Sequence, residues 1–578
     1  MPGAQRSVRI GVLVLAAAAA LVFAWIAFAR YATFHNRSFD LAFYARLAWG
    51  LARGRTYEPL VGAHVFGLHL SPVLVPLGLL GAAFGTVRVL LVAQALAVAA
   101  TAWPLARIGA RRFGDLGALA GAGALLLHPN LAPVVSEAFH PGTLAVLPLA
   151  WAIDALDRRD PRAFVASVVG VLACREDLAI ATAVLGWLFA RDGDAAARRL
   201  GRKVTIVSLA WFAVWAAVLL PIFGPRGGSF AMHFGRFVHS PGELLGHLAA
   251  PARLLYLPTV LATVALLPLL RPRLLLPVLP LLLVNLVSAF PTTTDVASHY
   301  LTPALPFVVA AALDGASRLG RFAAVLPALA AMAWTSFAVP IALADLRPDE
   351  RSAQARRIVA AVPQARSVQG PGFLLAHLAE RSLVYRGPPP DRQASFVILD
   401  VSHRRRYARQ ETLLRTREEP IVRRWLARPD HALVRLERDF LLLRRGRSPR
   451  RGLGARAIRG TTSPDQGDAL SACLALRGAS LAGARLHLDL VARAPCPADI
   501  GLRIGTADKP RRVDLLFDGL FSPVHLRPGD LVRSSHPLDP TERAAALQGE
   551  LRVGLLRSGG ARIDRADPLS VAVQLAPR

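Results

Sequence analysis

Lysine is almost absent from this 578-residue chain, and cysteine is scarce. Arginine therefore carries nearly all of the positive charge, and the formal net charge is +29. Such an excess can signal nucleic-acid binding, but no nucleic-acid motif accompanies it. The arginines fall in short clusters between apolar runs, where membrane topology explains them. A nucleic-acid partner is excluded on those grounds. Three cysteines permit one intramolecular disulfide at most. Cys174 lies in an apolar region. Cys473 and Cys496 share the C-terminal region and pair if it lies outside the cytoplasm; otherwise they are two buried thiols. No short internal repeat is present, which removes one sign of a repeat-built transporter.

What is plentiful is apolar sequence. The chain is 53% hydrophobic with mean hydropathy +0.40, and the apolar runs are confined to residues 8–343. At this length one compact domain is excluded. The asymmetry predicts a mainly α polytopic transmembrane domain over 1–345. A small α/β domain over 346–446, a linker over 447–461 and a β-sandwich-like domain over 462–578 follow. Arg6 and Arg9 precede the run Ile10–Ala29, and Ala27-Phe28-Ala29 mimics a signal-peptidase site. The run is long enough to span, so it reads as an uncleaved first helix.

Basic clusters mark the cytoplasmic side of short loops. Helix one, 9–30, runs outward; 70–85 is short and broken by Pro72 and Pro76, and reads as a partial or re-entrant helix. Spans at 87–107, 115–135 and 141–157 follow. The segment 162–190 holds Arg175-Glu176-Asp177 at its middle. Three adjacent charges at the centre of one span would cost roughly 8–10 kcal/mol. The segment therefore reads as a hairpin of two shorter helices, with the charges at a recessed outer turn. Spans at 202–223, 250–270, 274–290, 300–317 and 322–343 complete eleven spans plus the partial helix. The N-terminus is then cytoplasmic and the C-terminal domains extracytoplasmic, in a bacterial cytoplasmic (inner) membrane. Beyond the membrane domain, Gln354–Val362 and Glu411–Ala427 read as helices, and Phe396–Asp400, Ala432–Leu436 and Phe440–Leu443 as strands. Residues 462–578 alternate in the manner of a small antiparallel sandwich.

With this topology the polar groups of distant loops reach one face. They include Asp40, Glu58, His64 and His69, then Glu137 and His140, then Arg175, Glu176 and Asp177. His233, Arg236, His239, Asp295, His299 and Tyr300 join them from later loops. Ionisable groups at membrane depth are costly, so a convergent set marks either a substrate path or a network of structural ion pairs. Phe39, Phe43, Leu47 and Leu51 form an apolar stripe at helical spacing, with Asp40 and Tyr44 together one turn apart. That pattern predicts a helix at the outer interface. Asp40 is then either a helix-end charge stabilised by the dipole or a carboxylate placed for proton transfer.

The motifs FDLAFYARLAWGLARGR, HLSP, LLHPNL, EAFHPGTLAVLPLAWAIDAL, CREDLAI and NLVSAFPTTTDVASHYLTPALPFVVAAAL occur in that order. Over roughly residues 10–445 the chain resembles a prokaryotic family of multi-pass membrane proteins carrying a domain of unknown function (DUF2079-like). Members often have an acid where this chain has Leu68, and lysine where it has Arg175. That family in turn resembles the type-C (GT-C) glycosyltransferases, which use polyprenyl-phosphate sugars. The resemblance implies a lipid-linked-sugar glycosyltransferase working on the extracytoplasmic face. It implies Asp40 as general base or acceptor-orienting acid, aided by Glu176 and Asp177 as further catalytic candidates. The substrate-binding candidates are Tyr44, His69, Glu137, His140, Arg175, Arg236, His299 and Tyr300, with Arg175 or Arg236 meeting the donor phosphate. The implied partners are membrane lipids, a polyprenyl-phosphate sugar and a glycan or envelope acceptor. A divalent metal is an open cofactor candidate, which Glu176 and Asp177 would help to hold. Two other readings remain at this stage: a lipid or polymer transporter or flippase, and a non-catalytic envelope scaffold.

Overall fold

The computed structural model describes residues 5–36, 39–224, 229–240, 242–337, 343–387, 394–400, 425, 430–437, 440–446, 458–483, 485–494, 496, 500–506, 510–515, 526, 528–538, 540–557 and 571–575. The chain divides into two units, 1–386 and 387–578. The first is mostly helical and holds the candidate site.

Helix α1, Arg6–Ala32, has 27 residues. At 1.5 Å per residue it measures about 40 Å, more than the hydrocarbon thickness requires. Its end is pinned by the buried Arg30, which donates to the carbonyl of His35 and lies 3.6 Å from Asp345. Helix α2, Asp40–Leu51, follows directly. Every residue from Leu41 to Gly50 is buried. The amphipathic pattern predicts one exposed face, and the structure covers both. Helix α3, Leu74–Phe84, packs on one side and the segment 372–378 on another. The polar face stays buried because Arg46 finds partners there. It pairs with Glu58 at 3.0 Å and donates to the carbonyls of Ala379 and Arg381. Helix α3 has 11 residues, too short to cross, which agrees with the partial helix read at 70–85.

Helices α4, Thr86–Ala100, and α5, Ala102–Leu126, run on until Gly114, whose φ of 61° breaks the helix. The chain reverses there: a Cβ on Gly109 would stand 1.9 Å from the Gly117 carbonyl oxygen. Small residues permit that approach, and Val12, Ala102, Ala106, Ala110, Ala118 and Ala122 form one packed cluster. Beside the turn, Arg107 and Arg111 meet Asp154 at 3.2 and 2.8 Å, and Arg112 meets Asp157 and Asp314 at 3.1 and 3.0 Å. Helix α6, Leu131–Glu137, leads through an extended segment into α7, Pro141–Leu144, and α8, Val146–Arg158.

The charged turn falls where the cost argument puts it. Helix α9, Pro161–Cys174, and α10, Ala179–Arg191, flank it. Phe164 and Phe189, at the far ends of the two helices, stack at 4.5 Å, so the chain doubles back. With 14 and 13 residues, each arm is about 20 Å long. Helix α11, Ala195–Val214, continues through a π-helical turn to Phe223.

The predicted spans at 250–270 and 274–290 are short helical pieces instead: Pro251–Leu254, Tyr256–Ala262 and Leu279–Val287, with 3-10 turns between. Prolines at 251, 258, 268, 272, 277 and 280 remove donors too often for one long helix, and Ala265 and Leu266 take positive φ. By length and composition, three described helices suit a membrane crossing: Arg6–Ala32, Thr86–Leu126 and Ala195–Phe223. The pair Gly242–Leu248 with Pro251–Ala262 is bent by 66° and forms either a broken span or a re-entrant loop. The unit ends with a capped helix, Glu350–Ala360, and a parallel pair of strands, Val368–Gly370 and Val384–Arg386.

In the second unit, Phe396–Asp400 pairs antiparallel with Phe440–Arg445, which pairs in turn with His431–Leu436. The predicted helix Glu411–Ala427 lies outside the described residues except Trp425, and so does most of the linker. Two antiparallel sheets follow. One runs in the order 458–461, 530–537, 485–492, 474–482, 468–469; the other in the order 510–515, 500–505, 552–557, 571–572. Leu474, Leu488, Leu502, Ile504, Val532 and Val553 belong to one core. A disulfide joins Cys473 to Cys496 across 23 positions, while Cys174 is buried and free.

Candidate active site

Asp40 is the first residue of α2, eight positions after Ala32, the last residue of α1. Its side chain is 38% exposed, so a substrate hydroxyl can reach it. Its Oδ2 lies 3.1 Å from Nε2 of His140, whose side chain is only 7% exposed. His140 stacks face to face on His299 at 3.6 Å, and His299 stacks in turn on Tyr300 at 4.2 Å. One ligand-capable atom each from Asp40, His140 and His299 lies within 4.8 Å of the others. Burial, reinforced by His140, holds the His299 imidazole well below its usual range, so the ring is neutral near pH 7.

Tyr44 stands one turn along α2 from Asp40. It packs against Phe139, His140 and His69, with ring centroids at 5.8, 5.7 and 6.4 Å. Burial pushes its phenol up; Arg175 opposes that shift, and Asp40, Glu176 and Asp177 add to it. The phenol stays protonated and can donate. The same influences show that the charged turn and the start of α2 face one volume.

At the turn the three charges divide their work. Glu176 is buried and takes His69 Nδ1 at 2.8 Å on one oxygen and the Leu70 N–H at 2.9 Å on the other. It thereby ties the first loop to the α9–α10 turn. Arg175 grips Asp177 through Nε and Nη2. The Arg175 side chain also lies against Gly142, where a Cβ would be 3.3 Å from its Cδ. That brings the guanidinium beside the residue after next to His140.

Two neutral residues outside the sequence-derived set hold the histidines. Gln94 of α4 donates to the Ala138 carbonyl at 2.8 Å and accepts from the His140 N–H at 3.0 Å. Asn130 donates to the carbonyls of Val296 and Ser298 and accepts from Thr302, which fixes the loop bearing His299. Asn130 sits in the LLHPNL motif, the one local signal that points to it.

The structure therefore brings together Asp40, Tyr44, His69, His140, Arg175, Glu176, Asp177, His299 and Tyr300. Glu137 is exposed, and its backbone carbonyl accepts from Asn36. Arg236 is exposed and paired with Glu243 on the surface. His233, on helix Ser229–His239, joins the rim by bonding Ser288 at 2.6 Å and packing near Tyr300. Glu58 and His64 serve the loop itself: Glu58 pairs with Arg46, and His64 packs on Tyr57 and Phe223.

No curated protein matches the sequence. Among solved structures, the crystal structure of ArnT from Cupriavidus metallidurans in the apo state is similar with a TM-score of 0.43 at 12% identity, over 75% of this chain and 98% of that one. The model of the predicted membrane protein family DUF2079 matches residues 30–416. That match spans more than half of the chain, and the chain belongs to this family of membrane proteins.

Proposed function

We propose that the protein transfers a sugar from a polyprenyl-phosphate donor to a hydroxyl of an envelope glycan or polymer, on the extracytoplasmic face of the membrane. The observation that carries this reading is the placement of Asp40. It is a partly exposed carboxylate at the start of the short helix that follows a membrane-length one, bonded to a buried histidine and close to an arginine-bearing turn. The order of motifs shared with the DUF2079 family, which in turn resembles the type-C glycosyltransferases, supports the same assignment.

The roles follow from chemistry. The acceptor hydroxyl attacks the anomeric carbon; the new carbon–oxygen bond forms as the bond to the phosphate oxygen breaks. The hydroxyl proton passes to Asp40, with His140 at 3.1 Å to hold or share it. Polyprenyl phosphate leaves with the bonding pair. Arg175 offers that phosphate its Nη1 group, which the pair with Asp177 does not use. Tyr300 presents its ring and hydroxyl to the sugar, and the buried Tyr44 backs His69 and His140. The prenyl tail stays among lipids and apolar helix surface.

The test is transfer by purified protein in nanodiscs, using an extract of polyprenyl-phosphate sugars from a strain deleted for the gene. Asp40→Asn keeps the hydrogen bond to His140 but not the basicity, and transfer should fall about 10²–10⁴-fold. Normal transfer by that variant refutes the assignment.

A further inference from the structure

We propose that Asp40, His140 and His299 form a binding site for one divalent transition-metal ion. The inference rests on the transferase reading for its use but not for its test. Three residues from separate parts of the chain deliver one carboxylate oxygen and two imidazole nitrogens into a space 4.8 Å across. Ligands about 2.0–2.2 Å from a common centre stand at most about 4.4 Å apart, so a small inward shift of these side chains closes the set around one ion.

A second observation points the same way. The His140 ring is buried, and its Nδ1 has no hydrogen-bond partner among the described residues. Buried polar atoms are ordinarily satisfied, and a lapse in a built site calls for a ligand or an ordered solvent molecule. The two imidazoles lie face to face at 3.6 Å with an interplanar angle of 10°. Parallel rings aim their nitrogen lone pairs the same way, so one ring must tilt about its side-chain bonds for both nitrogens to meet one ion. The supports are also rigid. Gln94 fixes the His140 backbone and Asn130 fixes the His299 loop, both through buried amide bonds. Such outer contacts are what orient metal ligands.

The donor set selects the ion. Two imidazoles and one carboxylate suit zinc, manganese, iron or cobalt better than magnesium or calcium, which take mostly oxygen ligands. Three protein ligands leave open coordination for an oxygen of the substrate. A bound ion supplies positive charge beside Arg175, where the donor phosphate leaves. Glu176 and Asp177 do not join the set, because His69 and Leu70 engage the first and Arg175 the second.

The test is metal content and affinity of the full chain in nanodiscs, without any donor sugar. After chelation and reloading with zinc, manganese or cobalt, elemental analysis should find one ion per chain. His140→Gln and His299→Gln should each weaken binding by more than the roughly 10- to 100-fold that accompanies loss of an outer contact. His69→Gln, outside the set, should keep the ion. Cobalt-loaded protein should show the absorption of a nitrogen-containing site, and the spectrum should collapse in His299→Gln. Size-exclusion profiles identify any variant that has lost its fold, and for those the Asp40→Asn variant serves in their place. Equal binding by wild type and both histidine variants would overturn the site, as would no stoichiometric binding by any of the three ions. Sugar transfer by protein shown to be metal-free would leave the transferase reading and remove the ion. A bound ion with no transfer would do the reverse.

Discussion

Gln94→Leu is the sharpest test of how this site is held. Gln94 has 1% of its surface exposed and makes two bonds to the strand that carries His140. Leucine keeps the volume and removes both. If the freed backbone groups could pair again, the loss would be near the ~0.6 kcal/mol per bond typical of helix interiors in membranes. The structure argues against that escape. Ala138 is fully extended, with φ −158° and ψ 178°, and Ala138, Phe139 and His140 are all buried. A carbonyl and an N–H are then stranded away from water, each costing about 1–3 kcal/mol, or roughly 2–6 kcal/mol together. Unfolding in mixed micelles gives the stability difference. Gln94→Glu keeps both bonds only while its carboxyl is protonated, so its stability loss should shrink as pH falls. A positioning role adds a second signature: transfer per folded molecule falls as well, because His140 no longer meets Asp40. A loss below about 1 kcal/mol with unchanged transfer would refute the reasoning.

Three other outcomes are expected. Glu176→Ala removes the partner of the partly exposed His69 and of the Leu70 N–H, and should cost about 1–3 kcal/mol in the same unfolding assay. His377 is held between the Tyr31 and Phe34 rings at 4.0 and 3.9 Å, and burial, with the charge of Arg356, lowers its pKa from 6.5 to about 3. The folded ring stays neutral while the unfolded ring takes up a proton below pH 6.5, so stability is complete above that pH and declines as pH falls toward 3. At about pH 5 the loss should be roughly 2 kcal/mol, and His377→Phe should flatten that part of the pH profile. Reducing the Cys473–Cys496 bond opens a loop of 23 positions and should destabilise the second unit by about 3 kcal/mol, read by denaturant unfolding with and without reductant.

Charge and glycine were the informative signals in the sequence. Arg175-Glu176-Asp177 could not sit mid-span, and the structure puts them at a turn between two short helices. Arg107, Arg111 and Arg112 implied a turn between spans, and Gly114 makes a turn there. Hydropathy failed where backbone chemistry decides. The run from 250 to 290 is apolar enough for two spans, yet its prolines cut it into short pieces. The stripe on α2 was visible, but the burial of its polar face was not. Arg46 finds its carbonyl partners more than 330 residues away, beyond the reach of any local pattern. Gln94 and Asn130 stayed hidden because a neutral amide in an apolar run carries no topological mark. Their value lies in pairing with backbone that only the fold brings near.

The arginines beside Gly114 have a bearing on how the protein is made. Arg107 and Arg111 wait 47 and 43 residues for Asp154, while Arg112 waits 202 residues for Asp314. Synthesis runs from the N-terminus, so the first of these carboxylates emerges early and the last only near the end of the helical region. Until Asp314 arrives, Arg112 has Asp157 alone among the acids that surround it in the finished fold. Completion of this cluster is thus a record of assembly: it closes when the helix Leu305–Ala316, which follows His299 by six residues, has docked.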